Sequence, residues 1–387
     1  MLLDNKKVAI VGGGPAGLTL ARLLQQSGVY VNVYERDLDK NARVQGAPLD
    51  LHDESGLAAL RKANLLEKFK ENYMVGADRE KIMNPNGNVF FSDHEKNLTE
   101  DFGKEHFRPE IDRGVLRRIL LDALETETVV WNSHFLSMEK QGAGWLLHFK
   151  NADTQYADLV IAADGANSKI RPYVTDIKAI YSGITMLEGN IADAKNNAPN
   201  IYEMLNGGKI MAFGNGQNIL MGQKGKGEIG YYISFKTDEN WHKTIGIDFT
   251  DKTQVSNWFQ KAYATWNPMW YELFENVLLP FIPRPIYYMP FDQTWSSQSN
   301  VTMIGDAAHV MSPFAGEGVN MAMLDALELR ECLLSETHSS LKQAIENFEN
   351  KMRPRAATIA KKSLDNGELM HSENALESMI DFFSEVK

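Results

Sequence analysis

The run Val8-Ala9-Ile10-Val11-Gly12-Gly13-Gly14-Pro15-Ala16-Gly17 decides the fold. Its first four residues are apolar without alternation, the pattern of a parallel strand buried on both faces. They pass straight into Gly12, Gly14 and Gly17 at Gly-x-Gly-x-x-Gly spacing. Leu18, Leu20, Ala21, Leu23 and Leu24 then form a helical apolar stripe, and Val31-Asn32-Val33-Tyr34-Glu35 reads as a second strand ending on an acid. Strand, turn, helix, strand and acid follow in the order that a dinucleotide-binding βαβ unit requires.

Each residue of the turn has a task. Gly12 permits the tight bend, Gly14 lets backbone N–H groups approach a pyrophosphate, and Gly17 lets helix and sheet pack closely. Pro15 and Ala16 open the helix whose positive end faces the diphosphate. Glu35, 18 residues after Gly17, is placed to accept hydrogen bonds from a ribose, with Arg36 beside it. The plainer alternative is a βαβ turn without a ligand. A Walker loop is excluded, because Leu18 stands where that motif has lysine.

Two further turns follow buried-strand candidates. Leu159-Val160-Ile161 leads into Ala162-Ala163-Asp164-Gly165, with Ser168 and Arg171 close behind. Val301-Thr302-Met303-Ile304 leads into Gly305-Asp306-Ala307-Ala308-His309, then Pro313-Phe314-Ala315-Gly316-Glu317-Gly318-Val319-Asn320, and a helix is expected over about residues 319–334. Asp306 at such a strand end suits a ribityl or ribose hydroxyl, and the helix start after Gly316 and Gly318 suits the pyrimidine edge of a flavin. Taken alone, Asp306 also reads as an ordinary helix cap.

With these three turns in this order, the sequence resembles the class A flavoprotein monooxygenases of the para-hydroxybenzoate hydroxylase fold, and most closely their tetracycline-degrading branch. The second resemblance is carried by Leu23-Leu24-Gln25-Gln26, Tyr34-Glu35-Arg36-Asp37, Leu49-Asp50-Leu51-His52, Ile233-Ser234-Phe235-Lys236 and residues 303–309. It implies an α/β fold: a Rossmann-like, GR2-type FAD domain with an inserted antiparallel-sheet substrate domain and a C-terminal bridging helix. The expected boundaries are 1–75, 105–172 and 289–340 for FAD, 76–104 and 173–288 for substrate, and 341–387 for the helical tail. The resemblance places Glu35 at the adenosine ribose, Asp50 and Arg113 at the flavin, Arg43 at a nicotinamide cofactor and Asp306 at the ribityl or phosphate region. Asp164, Gly305, Pro313, Gly316, Gly318, Val319 and Asn320 complete the expected FAD contacts. Without it, Arg113 reads as a helix-surface arginine, and Arg43 and Asp50 have no local motif.

Expected substrate contacts are Glu188, Lys209, Gly230, Phe314, Asn366 and Met370. Three of these depart from the tetracycline-degrading pattern, which has Gln, Arg and His where this chain has Glu188, Lys209 and Gly230. Each polar group left unpaired by such a change costs about 1–3 kcal/mol. Asn366 and Met370 match the bridging helix; on their own they read as helix surface or seam. The implied chemistry is FAD reduced by NADPH or NADH, reaction with O₂ at the flavin C4a carbon, and transfer of one oxygen to an aromatic or polyketide-like molecule such as tetracycline. No second Gly-x-Gly-x-x-Gly occurs, so the nicotinamide is expected to visit transiently. No catalytic side chain is nominated, since an electron-rich carbon needs none.

The remaining sequence narrows the alternatives. The length of 387 residues allows two to three domains. Forty basic against fifty-one acidic residues give a net charge of −11, which excludes nucleic acid and anionic membrane as main partners. The one cysteine, Cys332, excludes an intrachain disulfide or a cysteine zinc cluster and suits a reducing cytoplasm. The first apolar run is too short for a signal core, and no run of about 18 apolar residues occurs, so no membrane span is expected, and the chain is expected in the cytoplasm as a monomer. The histidines are scattered, no metal cluster stands out, and no Gly-x-Ser-x-Gly elbow is present.

Residues 172–288 change to β-rich runs, including 209–213, 218–221 and 231–235, expected as an antiparallel sheet. The glycine-rich residues 222–227 sit at hairpin spacing. The aromatic residues of 255–277 have helical spacing and read as packing before they read as a substrate box. A helix is expected over about 341–370, with Pro354 a break or first-turn residue. Two other functions stay open: a flavin-binding protein that senses or sequesters tetracycline without turnover, and an FAD oxidase or halogenase, although the Trp-x-Trp-x-Ile-Pro signature of tryptophan halogenases is missing.

Overall fold

The computed structural model describes residues 2–42, 46–95, 102–104 and 107–386. The apolar run Val8–Val11 is fully buried and forms the middle of a five-stranded sheet in which every pairing is parallel. The strand order is Val301–Met303, Leu159–Ala162, Val8–Val11, Val31–Tyr34 and Val129–Val130. In register, Val11 pairs with both Ala162 and Tyr34, and Ala162 pairs with Met303. The three turns therefore leave the same edge of the sheet side by side, where open α/β sheets hold their ligands. The helices Pro15–Gln25, Arg113–Asp122 and Gly318–Leu334 cover this sheet. A separate antiparallel sheet of Gln155–Ala157, Gly144–Phe149 and Phe135–Gln141 lies before the second turn.

The second unit is a seven-stranded sheet ordered Ile282–Tyr288, Ile180–Ile191, Ile229–Lys236, Gln217–Gln223, Lys209–Gly214, Glu80–Met83 and Val89–Ser92. It departs from the expected antiparallel pattern at one pairing, since Lys209–Gly214 runs parallel to Glu80–Met83. The reason is connectivity: the latter strand arrives from a distant part of the chain, so no hairpin imposes reversal. Residues 222–227 do form the connection between two antiparallel strands.

Alternation along these strands makes two faces. The back face packs Ile210, Ile219, Tyr231 and Ile233 against Phe259, Tyr263, Trp266, Trp270 and Phe274, so the aromatic cluster is core. Its backbone is not one helix. Lys252–Ala262 ends, and Asn267 accepts a hydrogen bond from the Met269 N–H to start a short turn at Pro268–Tyr271, because proline disfavours helical backbone before it. The front face packs Ile184, Met186 and Ile286 with Leu220, Tyr232 and Phe314, the last supplied by the loop after the third turn.

Leu341–Met370 is one continuous helix of 30 residues, and Pro354 lies inside it, neither breaking nor beginning it. Its inner stripe of Ala356, Ala360, Ser363 and Gly367 is small, and a side chain at Gly367 would meet the Phe314 ring at 2.6 Å. The following helix, Ala375–Val386, closes a cluster of Ile82, Phe213, Met370, Met379 and Phe383. Among the described residues no helix is long and apolar enough to cross a membrane.

Candidate functional site

Gly12 adopts φ +114°, and a β-carbon there would fall 2.1 Å from the Ala163 carbonyl oxygen, so the first and second turns touch through backbone. Gly14 has nothing within 4 Å of its would-be β-carbon. The helix that follows has Pro15 in its first turn and no side-chain cap, which leaves first-turn N–H groups and the positive helix end directed outward. Glu35 is buried; its Oε2 accepts the Gly13 N–H at 2.6 Å and its Oε1 the Asp37 N–H at 2.9 Å. The carboxylate thus lies against the glycine turn at the end of the second strand. Arg36 lines a neighbouring hollow of about 420 Å³ with Asp37, Leu38, Asp39, Asn41 and Ala42. Arg43, expected at a nicotinamide cofactor, lies outside the described residues.

Arg171 stitches the second turn to the third. Its Nε donates to the Ala307 carbonyl at 2.8 Å, and its Nη2 donates to the carbonyls of Ala166 at 2.9 Å and Asp306 at 2.8 Å. Asp164 accepts the Lys169 N–H at 2.8 Å through Oδ2, while its buried Oδ1 has no hydrogen-bond partner among the described residues. Burial pushes its carboxyl above the ordinary range, although Ser168 and backbone donors oppose the shift. The Asp306 side chain reaches solvent at the start of a short helix. Gly305, at φ +59°, donates its N–H to Asp325 Oδ2 at 2.8 Å. Asp325 is fully buried and also holds His309 Nε2 at 2.6 Å and Arg355 Nη2 at 2.7 Å. Sequence reasoning missed this hub: Asp325 carries no local motif, and its partners come from the turn and from the bridging helix.

Asp50 faces the loop of Pro313, Phe314 and Gly316. Gly316 adopts φ +69°, and its would-be β-carbon lies 3.1 Å from Asp50 Oδ2. Gly318 and Val319 open a helix without a side-chain cap, and nothing lies within 4 Å of a β-carbon at Gly318. The Asn320 side chain is turned into the protein: Oδ1 accepts the His52 N–H at 2.9 Å, and Nδ2 donates to the Asp50 carbonyl at 3.0 Å. Its amide clamps the Asp50 strand to the loop. His52 lies between Asp50 Oδ2, 3.0 Å from Nε2, and Glu317 Oε2, 3.4 Å from Nδ1. Burial disfavours its cation, yet the two carboxylates outweigh burial and push His52 up to about 9.

Glu110 pairs in register with Asp50 and is buried. Burial raises its carboxyl to about 7 even though Lys209 pulls the other way. Lys209, expected at substrate, reaches across from the front face of the seven-stranded sheet to form an ion pair with Glu110. Glu188, also on that face, is buried and paired with Arg284. Gly230 lies opposite Asn190, with Lys224 packed over it at 3.0 Å from a would-be β-carbon. Tyr232 was not anticipated. Its hydroxyl accepts the Ala47 N–H at 3.1 Å, while Arg113 Nε donates to the Ala47 carbonyl at 2.8 Å, so one residue ties the substrate sheet to the Arg113 helix.

The expected substrate residues therefore divide. Glu188, Lys209, Gly230 and Phe314 share the front face or meet it. Asn366 Nδ2 donates to the Phe314 carbonyl at 3.1 Å and supports the loop. Met370 packs in a cluster with Ile82, Phe213, Met379 and Phe383, against which Leu220 and Phe314 of the front face also pack. Among the described residues no cluster suits a metal ion.

The residues present fit FAD. The orphaned Asp164 oxygen, two uncapped helix starts and the glycine cradles provide acceptors and donors for ribose, diphosphate and flavin hydroxyls. Residues 5–262 and 292–363 match the family described as FAD binding domain. Monooxygenase penA of Penicillium thymicola is 25% identical over 429 residues, covering 96% of this chain and 97% of its own. The 3-amino-4-hydroxybenzoate 2-monooxygenase PtmB3 of Streptomyces platensis is 25% identical over 386 residues, covering 95% and 89%. The solved structure of the tetracycline destructase Tet(55) matches with a TM-score of 0.77 at 17% identity, covering 100% of this chain and 97% of that one, a likeness of fold.

Proposed function

The chain belongs to the FAD binding domain family and is an FAD-dependent monooxygenase, and on that premise we propose that it hydroxylates an aromatic or polyketide-like small molecule with NADPH or NADH as reductant. The observation that carries this reading is the juxtaposition of the three turns with an apolar front face, where Phe314 of the third-turn loop packs on Met186 and Ile286. Bound FAD supplies the redox chemistry, accepting a hydride and activating O₂ for transfer of one oxygen atom. The chain binds and orients. Gly12 to Gly17 and Glu35 hold the adenosine diphosphate half; Asp164 and Asp306 take hydroxyls; the helix start at Gly318 offers its positive end to the flavin edge. The apolar wall of Met186, Leu220, Ile286 and Phe314 excludes water from the reacting face. Tetracycline is the first substrate to try, although Glu188 and Lys209 are each held by a charged partner within the protein.

Two measurements test this. Anaerobic mixing with NADPH and with NADH should bleach the oxidised flavin band, and a flavin left oxidised by both sinks the reading. Mass spectrometry after incubation with tetracycline or an aminohydroxybenzoate, NADPH and air should show a gain of one oxygen. Background NADPH consumption across such a panel, with FAD held tightly, would point to a sequestering or sensing protein.

A further inference from the structure

Phe314 stands where two parts of the front face meet. It packs with Ile184, Met186 and Ile286 on one side and joins the cluster of Phe213, Met370 and Phe383 on the other. Its backbone is tied to the helix Leu341–Met370 at three points. Ser363 Oγ donates to the Ser312 carbonyl at 2.6 Å and accepts the Ala315 N–H at 3.2 Å, and Asn366 Nδ2 donates to the Phe314 carbonyl at 3.1 Å. The loop is therefore fastened to the helix, and what remains adjustable is the ring.

The ring is seated by a missing side chain. Gly367 lies in the last turn of the helix, and no positive φ calls for glycine there. Glycine weakens a helix relative to alanine, so its presence needs another reason. A β-carbon at 367 would lie 2.6 Å from Phe314 Cδ2, 2.9 Å from Phe314 Cε2 and 3.3 Å from Ile184 Cδ1. Carbon atoms in contact stand about 3.5–4 Å apart, so a methyl group would displace the ring by about 1 Å.

The neighbours decide the direction of that displacement. Behind the ring, His371 meets it edge-on with centroids 5.4 Å apart. His371 is fixed: Nδ1–H donates to the Gly367 carbonyl at 2.7 Å, so Nε2 accepts from Ser234 Oγ at 2.7 Å and from Asn218 Nδ2 at 3.0 Å. Ile184, packed against the ring, is fully buried. The side left is the one that Phe314 shares with Leu220 and Tyr232, all three half-buried. The Tyr232 hydroxyl meets Ala47, which Arg113 also holds, so this side faces the flavin-side loop.

We propose that Gly367 is a specificity-determining residue: the room it leaves for the Phe314 ring keeps the space over Leu220 and Tyr232 wide enough for a substrate of fused rings. The assignment rests on the hydroxylase reading and adds to it an upper limit of substrate size, set from the bridging helix. Gly367 acts through Phe314. A methyl group at 367 turns the ring into that space and leaves room for a single ring only.

The test is isothermal titration of the FAD-loaded protein with tetracycline, which has four fused rings, and with 3-amino-4-hydroxybenzoate, which has one. Gly367→Ala is expected to lose about tenfold or more in tetracycline affinity and to bind the single ring within about twofold of wild type. In a Phe314→Ala background, where the displaced atoms are gone, the same substitution is expected to change tetracycline affinity by less than about twofold. A glycine needed only for packing would lower both affinities together, and bound FAD and circular dichroism check the fold of each variant. An equal loss for both probes, no loss, a loss that persists beside Phe314→Ala, tetracycline binding abolished by Phe314→Ala alone, or failure of either probe to bind wild-type protein would overturn the assignment. Anaerobic reduction of the wild-type flavin by NADPH or NADH separates the two failures: if it proceeds while the size preference does not move, only the role of Gly367 is wrong.

Discussion

Replacing Asp325 by Asn should loosen the third turn at a cost that the structure allows to be worked out. Asp325 is fully buried and holds three donors: the Gly305 N–H at 2.8 Å, His309 at 2.6 Å and Arg355 at 2.7 Å. Asparagine keeps the shape but has one acceptor oxygen where the carboxylate has two. Its NH₂ must then face either Arg355 or the Gly305 and His309 donors, and its neutrality removes charge assistance from the Arg355 contact. Hydrogen bonds to charged groups are worth about 1.5–3 kcal/mol each, and breaking a buried ion pair costs about 3–5 kcal/mol. Arg355 keeps Glu328 as a partner, so the lower end applies and a loss of about 3 kcal/mol is expected. Urea unfolding of apoprotein and FAD-loaded protein, followed by circular dichroism, measures this. Because the Gly305 tether sets the backbone beside Asp306, flavin affinity should fall with stability. A stability loss under about 1 kcal/mol would refute the hub, and a full loss with unchanged FAD affinity would confine Asp325 to folding.

Three other outcomes follow from local geometry. His52 is held up to about 9 by Asp50 and Glu317, so its contribution to stability is complete below its unfolded value of about 6.5 and fades as pH rises through about 9. Wild-type protein should lose up to about 3 kcal/mol between pH 6 and pH 10 in urea titrations, and His52→Gln should flatten that slope; equal slopes would exclude the arrangement. Gly12→Ala should cost at least about 2 kcal/mol and release FAD, because the position combines φ +114° with a backbone oxygen 2.1 Å from the new carbon; tight FAD in this variant, read by fluorescence of released flavin, would contradict it. Trp270→Ala should cost about 3–5 kcal/mol from a fully buried ring whose Nε1 donates to Pro85 at 2.8 Å, yet leave the flavin spectrum unaltered, since the cluster lies on the back of the sheet.

The parallel strands and the glycine turns were legible because each is a short-range property. A fully buried strand needs only a continuous apolar run, as at Val8–Val11, and a crowded bend needs glycine whatever surrounds it, as at Gly12. The aromatic run at 255–277 was legible as packing for the same reason, although its breaks at Ala262 and Asn267 were not. Pro354 shows the limit: a local rule predicts a break, and tertiary contacts on both sides keep 30 residues helical. Asn320 and Met370 carry no local motif that shows their neighbours: the Asn320 amide bonds to the His52 N–H and the Asp50 carbonyl, and Met370 packs in a cluster with Phe383 that Phe314 joins.

By itself, the sequence determined where the glycine turns lie, which strand is central and which acid stands beside the first turn, because glycine geometry and apolar periodicity act over a few residues. Only the tertiary structure decided the partners of the charges. Lys209 and Glu188, expected at substrate, are ion-paired with Glu110 and Arg284, and Asp325, which carries no local motif, gathers the third turn. Charges find partners across strands and helices far apart in the chain, and burial makes each pairing obligatory without leaving a local mark.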